Sequence, residues 1–194
     1  KTRVLTYKIW HLIKDKIYSP NEILALTFTN KAASEMKERI QESVNCDNVN
    51  VGTFHSIGAR ILRKHISYLD DRYNSSFTIY DVSDQKALLK EVREELNITE
   101  SKELNINFLR SQLDKFKNAS MSVEEVESKA NSFEDKKIAE VYKRYSELLL
   151  SNNAVDFNDL IGMPLKLFKH SNALLKKYQQ SWKYILVDEF QDTN

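Results

Sequence analysis

The chain has 194 residues, 41% hydrophobic and 29% charged, enough to bury a core as one large domain or two small ones. With 29 basic against 28 acidic side chains the net charge is +1, so a nucleic-acid site has to be a local patch rather than a global field. A single cysteine, Cys46, excludes an internal disulfide, four scattered histidines offer no zinc spacing, and no apolar run reaches the ~20 residues of a membrane-spanning helix. These features lead to the expectation of a soluble protein of a reducing cytoplasm.

From Thr2 to Ile17, the residues Val4, Leu5, Ile9, Leu12 and Ile13 recur at helical spacing until Ser19-Pro20-Asn21 breaks the pattern. Ile23 to Thr29 is an apolar run of strand length. A helix is predicted next over Lys31 to Val44, with Ala33, Met36, Ile40 and Val44 inward and Thr29 or Asn30 as its cap. Free backbone N–H groups, the helix dipole and Lys31 favour an anion at that start, although an ordinary capped helix has the same pattern. Val49 to Phe54 reads as a strand, in which Gly52 would let another backbone or a nucleotide approach closely. Ser56 to Leu69 has a helical stripe of Ile57, Ile61, Leu62, Ile66 and Leu69, with Arg60, Arg63 and Lys64 outward.

Phe77 to Asp81 reads as a further strand of the same sheet. Strand-like alternation then stops: Leu88, Leu89, Val92 and Leu96, then Ile106, Leu109, Leu113 and Phe116, then Ile138, Val141, Tyr145, Leu148 and Leu149 keep helical periods. Ser122 to Glu125 has the form of a capping box. The expectation is an α/β lobe of residues 1–81 and 154–194 with an all-helical insertion at 82–153. Lys102, Arg110, Lys115 and Lys117 could face DNA there, or form a salt-laced surface with Glu91, Glu94, Glu95, Glu100 and Glu103. Asp156 is placed to cap the next helix and Asp159 to answer it; Leu160, Ile161, Leu165 and Phe168 supply its buried stripe, which Pro164 kinks. A helix near 173–180 leads through Trp182 into Tyr184 to Val187, whose unbroken apolar run is the pattern of a strand buried on both faces. Asp188 and Glu189 follow at its carboxyl end, the edge where open α/β sheets bind ligands. One carboxylate there can hold Mg²⁺ and the other orient water. An acidic pair merely entering solvent has the same sequence.

Four segments in order, TFTNKAASEM at 27–36, TFHS at 53–56, DFNDLI at 156–161 and DEFQDTN at 188–194, resemble the DNA helicases of the UvrD/Rep/PcrA family, superfamily 1. Lys1 to Leu5 is similar to the end of that family's glycine-rich phosphate loop. The chain is therefore expected to be a piece of a longer helicase, starting inside the loop and stopping at the Mg²⁺ motif. The resemblance implies a RecA-like P-loop NTPase lobe with a parallel sheet and an inserted helical subdomain, with ATP and Mg²⁺ as cofactors. It implies as partners single-stranded DNA, single-strand/duplex junctions and a second motor domain, and 3′ to 5′ translocation in DNA repair or replication. Lys1 and Thr2 would hold the nucleotide, Thr2 and Asp188 the Mg²⁺. Glu189 would deprotonate or position water, and Gln191 would sense the γ-phosphate. Thr27, Phe28, Thr29, Asn30 and Lys31, together with Thr53, Phe54, His55 and Ser56, would line the DNA track, Phe28 as a stacking surface. The family commonly has Asp where Asn158 stands here, which puts in doubt any charge-dependent role at that position. Two rival readings remain, the helicase half of a helicase-nuclease and a non-catalytic DNA-binding module. The isolated residues are expected to lack ATPase activity.

Overall fold

The structure, a computed structural model, describes residues 2–44, 48–98 and 104–192. The chain divides into two compact units, Lys1–Arg60 with Phe168–Asn194, and Ile61–Leu167. The first is built on a parallel sheet of β1 (Ile23–Thr27), β2 (Asn50–Thr53) and β5 (Tyr184–Val187), ordered β2-β1-β5. All five residues of β1 are buried, as befits the middle strand of a parallel sheet covered by helices. Ile9 and Leu12 of α1 (Thr2–Lys14), and Met36 and Ile40 of α2 (Asn30–Val44), pack with Ile23, Ala25 and Leu186 into one core. Each such buried Leu or Ile contributes about 1.5–3 kcal/mol. Val4, expected inward, is exposed.

Burial on both faces was also expected of β5, and there the structure differs. β5 is an edge strand, and Ile185 is 56% exposed while Leu186, on its opposite face, is buried. The same apolar run thus describes a central strand and an edge strand equally well.

The second unit holds its own two-stranded parallel sheet, β3 (Thr78–Tyr80) against β4 (Ala154–Asp156). Residues 77–81 therefore do not extend the sheet of β1. The reason lies in local ties: Thr78 N–H donates to Asn153 O at 2.9 Å, and Arg63 Nη1 donates to Ser75 O and Phe77 O at 2.6 Å each. Arg63, expected in solvent from the outer face of α3 (Phe54–His65), also lies 3.8 Å over the Phe77 ring.

Between β3 and β4 the described residues form helices and no strand: α4 (Val82–Glu95), α5 (Ile106–Asn118), α6 (Val123–Lys129) and α7 (Phe133–Ser151). Leu88, Leu89 and Val92 meet Leu109, Leu113, Val141, Tyr145 and Leu149 in one core, on the faces their periodicity predicts. Asp81, Asn105, Ser122 and Ser132 cap the four helices, and the predicted box at Ser122–Glu125 is formed. Each cap contributes about 0.5–2 kcal/mol.

Lys117 departs from its reading as a surface cation. Its side chain is only 8% exposed, and Nζ lies 2.6 Å from Asp156 Oδ2 and 2.8 Å from Asp159 Oδ2. Tyr145 donates its hydroxyl to the same Asp156 oxygen, while Asn158 Nδ2 donates to Asp114 Oδ1 at 2.6 Å. Burial alone would lower the pKa of Lys117, but the two carboxylates outweigh it and hold the ammonium above its usual value. Burial also raises Asp159, whereas in Asp156 the desolvation is outweighed by Lys117 and the carboxyl stays low. The expected reciprocal capping is present: Asp159 N–H donates to Asp156 Oδ1 at 3.0 Å and Asp156 N–H to Asp159 Oδ2 at 3.1 Å. It opens α8 (Asp159–His170), which contains Pro164, and α9 (Asn172–Ser181) leads on to β5. No helix among the described residues is long and apolar enough to cross a membrane.

Candidate functional site

Register brings three of the singled-out segments to one edge. Thr27 pairs with Thr53, Leu26 pairs with Val187, and Asp188 N–H donates to Leu26 O at 2.8 Å. Residues 27–31, 53–56 and 188–191 therefore leave the sheet side by side at its carboxyl edge. That edge is the ligand-binding edge of open α/β sheets.

Asp188 is the buried member, 5% exposed. Thr2, the first residue of α1, donates its hydroxyl to Asp188 Oδ2 at 2.8 Å, and Glu189 N–H donates to Oδ1 at 3.1 Å. A buried carboxylate and a hydroxyl in contact, at a helix N-terminus, form a set of hard oxygen donors that fits a Mg²⁺ ion. Glu189 itself has φ 53°, the left-handed region, at a cost of about 1–3 kcal/mol for a residue with a side chain. This turn takes the chain from β5 into a single 3₁₀ turn, Phe190–Asp192, where the Gln191 amide donates to Glu189 Oε2. Gln191, expected to sense the γ-phosphate, is held by this contact to Glu189. Lys1, Thr193 and Asn194 lie outside the described residues, as do Cys46, Glu100, Lys102 and Glu103.

In the first flanking segment the two threonines are used internally. Thr27 donates its hydroxyl to Thr29 O at 3.1 Å, and Thr29 Oγ1 accepts Ala32 N–H at 3.1 Å, capping α2. Phe28 is 52% exposed, and Asn30 and Lys31 are exposed in the first turn of α2. In the second, Thr53 is buried, Phe54 half-buried and His55 exposed. Close neighbours nevertheless desolvate His55 enough to lower its imidazole pKa. The space beside Gly52, expected to admit another backbone or a nucleotide, is filled by this chain: a Cβ there would lie 2.6 Å from Ser56 Oγ. The buried Lys117 cluster was missed in sequence, and so was the tie between Ser56 and Thr53. A hydroxyl at 53 followed by one at 56 is the spacing of a local cap, and that was the available signal.

A family model described as the UvrD/REP helicase N-terminal domain matches residues 1–194. The chain is 41% identical over 196 residues to the ATP-dependent DNA helicase PcrA of Staphylococcus epidermidis and 39% identical over 196 to that of Bacillus subtilis. It is 37% identical over 195 residues to DNA helicase II of Rickettsia typhi. Each alignment takes in 100% of this chain but only 26%, 26% and 30% of the respective relative, so the chain spans less than a third of these proteins' length. With a match running from end to end, and with three of the four segments gathered at one sheet edge, the chain belongs to the UvrD/REP helicase N-terminal domain family.

Proposed function

We propose that this chain is the nucleotide-binding part of an ATP-dependent DNA helicase that moves 3′ to 5′ along single-stranded DNA in DNA repair or replication in the cytoplasm. The observation that carries the reading is the hydrogen bond from Thr2 to Asp188, which joins the start of α1 to the end of β5 across 186 positions. Residues 1–81 and 154–194 would make a RecA-like P-loop motor lobe, with 82–153 as the inserted helical subdomain. The partners are single-stranded DNA, single-strand/duplex junctions and a second motor domain. Lys1 and Thr2 would hold the nucleotide, and Thr2 and Asp188 would hold Mg²⁺. When bound, the ion supplies charge stabilisation on the phosphates. Glu189 accepts a proton from, or orients, the attacking water, and Gln191 steadies that carboxylate. Phe28, Asn30, Lys31 and His55 present stacking and hydrogen-bonding groups to the strand, with Thr27, Thr29, Thr53, Phe54 and Ser56 beneath them.

The test is ATP turnover and nucleotide Kd of the full-length parent with single-stranded DNA across a Mg²⁺ titration. Glu189→Gln keeps size but removes charge, so turnover should fall by roughly 10² to 10⁴ with little change in nucleotide affinity. Asp188→Asn weakens a metal ligand, and its defect should ease at high Mg²⁺. Near-normal turnover by Glu189→Gln would remove it as the base. Residues 1–194 alone should show no steady DNA-stimulated hydrolysis, because phosphoryl transfer is mostly positioning and needs every part.

A further inference from the structure

We infer that Ser56 is a positioning residue, which fills the space left by the absent side chain of Gly52 and locks Thr53 so that His55 is the group presented to DNA from this segment. The inference rests on the reading above that this sheet edge carries single-stranded DNA. Ser56 Oγ accepts Thr53 N–H at 2.9 Å and donates to Thr53 O at 2.9 Å. Thr53 Oγ1 in turn accepts Ser56 N–H at 3.1 Å. The Ser56 hydroxyl therefore spends its one donor, and an acceptor site, within its own turn, although a free hydroxyl there would suit a phosphate oxygen. Thr53 is 6% exposed, which takes it away from solvent as well.

Gly52 completes the lock. A Cβ at 52 would meet Ser56 Oγ at 2.6 Å and Ile57 Cδ1 at 3.3 Å, so residues 52 and 56 act as one unit of volume. Between Thr53 and Ser56 stand Phe54, half-buried, and His55, exposed in the first turn of α3. The helix dipole at that first turn favours an anion where His55 stands. The geometry thus separates the four residues into one contact and a frame that aims it.

The frame is tested in the full-length parent by measuring single-stranded DNA affinity as a function of pH, with thermal melting alongside, for Gly52→Ala, Ser56→Ala, the double variant and His55→Ala. Gly52→Ala should weaken binding roughly tenfold and flatten the pH-dependent part that His55 supplies, because the new methyl displaces the hydroxyl. Ser56→Ala should cost only about threefold, and the double variant should regain most of what Gly52→Ala loses, since removing Oγ frees the space. A double variant as weak as, or weaker than, Gly52→Ala overturns the coupling. Loss of affinity in Ser56→Ala with the pH dependence intact overturns the positioning role and makes Ser56 a direct contact. If the unaltered enzyme does not bind single-stranded DNA, the reading beneath the inference fails; rescue in the melting temperatures then still decides whether Gly52 and Ser56 are coupled.

Discussion

His55 shows how a small environmental shift sets the chemistry of a contact. Partial desolvation holds its imidazole below the ordinary 6.5, so on the proposed DNA track it would offer a phosphate a hydrogen bond rather than a charge near neutral pH. Protonation strengthens that contact, so single-stranded DNA affinity of the parent should rise as the pH falls below about 6.5. The folding contribution has the opposite sign, because a depressed histidine loses stability as pH falls through its unfolded value. His55→Ala should flatten the affinity curve; identical curves for both proteins would remove His55 from the phosphate. The exposed position of His55 was legible as a residue at a helix start. The commitment of Thr53 and Ser56 to one another was not, because a hydroxyl suits a phosphate and a cap equally, and only distances separate the two. The left-handed backbone at Glu189 was likewise hidden, since glycine is the residue that normally marks such a turn.

At the scale of elements, α5 is held to the corner between β4 and α8 by polar groups, while its apolar face packs on α4 and α7. Lys117→Met would leave Asp156 and Asp159 buried without their cation, and should lower stability by about 3–5 kcal/mol in chemical denaturation. A loss under 1 kcal/mol would mean that the corner relaxes and admits water. Asn158, where the resemblance implies an Asp, has a structural use for its amide. Its amide donates to Asp114 Oδ1 at 2.6 Å, and an aspartate there would face that carboxylate directly. Asn158→Asp should therefore destabilise this chain, and Asp114→Asn should restore it in the double variant, with melting temperature as the readout. Additive losses would show that the pair is not coupled. Periodicity could not reveal this corner. Lysine is rarely buried, and the partners of Lys117 stand 39 and 42 positions away, beyond the reach of any local pattern.

Across the whole molecule, local periodicity located most elements within a few residues, because each helix and strand carries its own apolar period and its own cap. Pairing was harder to read. Residues 77–81 have the composition of a strand, but nothing in them says that β4 rather than β1 is the partner. Only Asp188 and Glu189 were expected at a carboxyl strand end; the register of β1 with both neighbours brings the segments at 27 and 53 to the same edge. β5 carries one more consequence. Its outer side has no strand partner among the described residues, and Ile185 stands exposed on one of its faces. An open backbone edge with an apolar side chain is a template on which a second molecule can add a strand. Purified residues 1–194 should accordingly self-associate as concentration rises, and Ile185→Lys should suppress this in light scattering. A monodisperse monomer at high concentration would show that the edge is shielded. The strand that carries Asp188 and Glu189 at its end is thus also an edge on which this chain can aggregate.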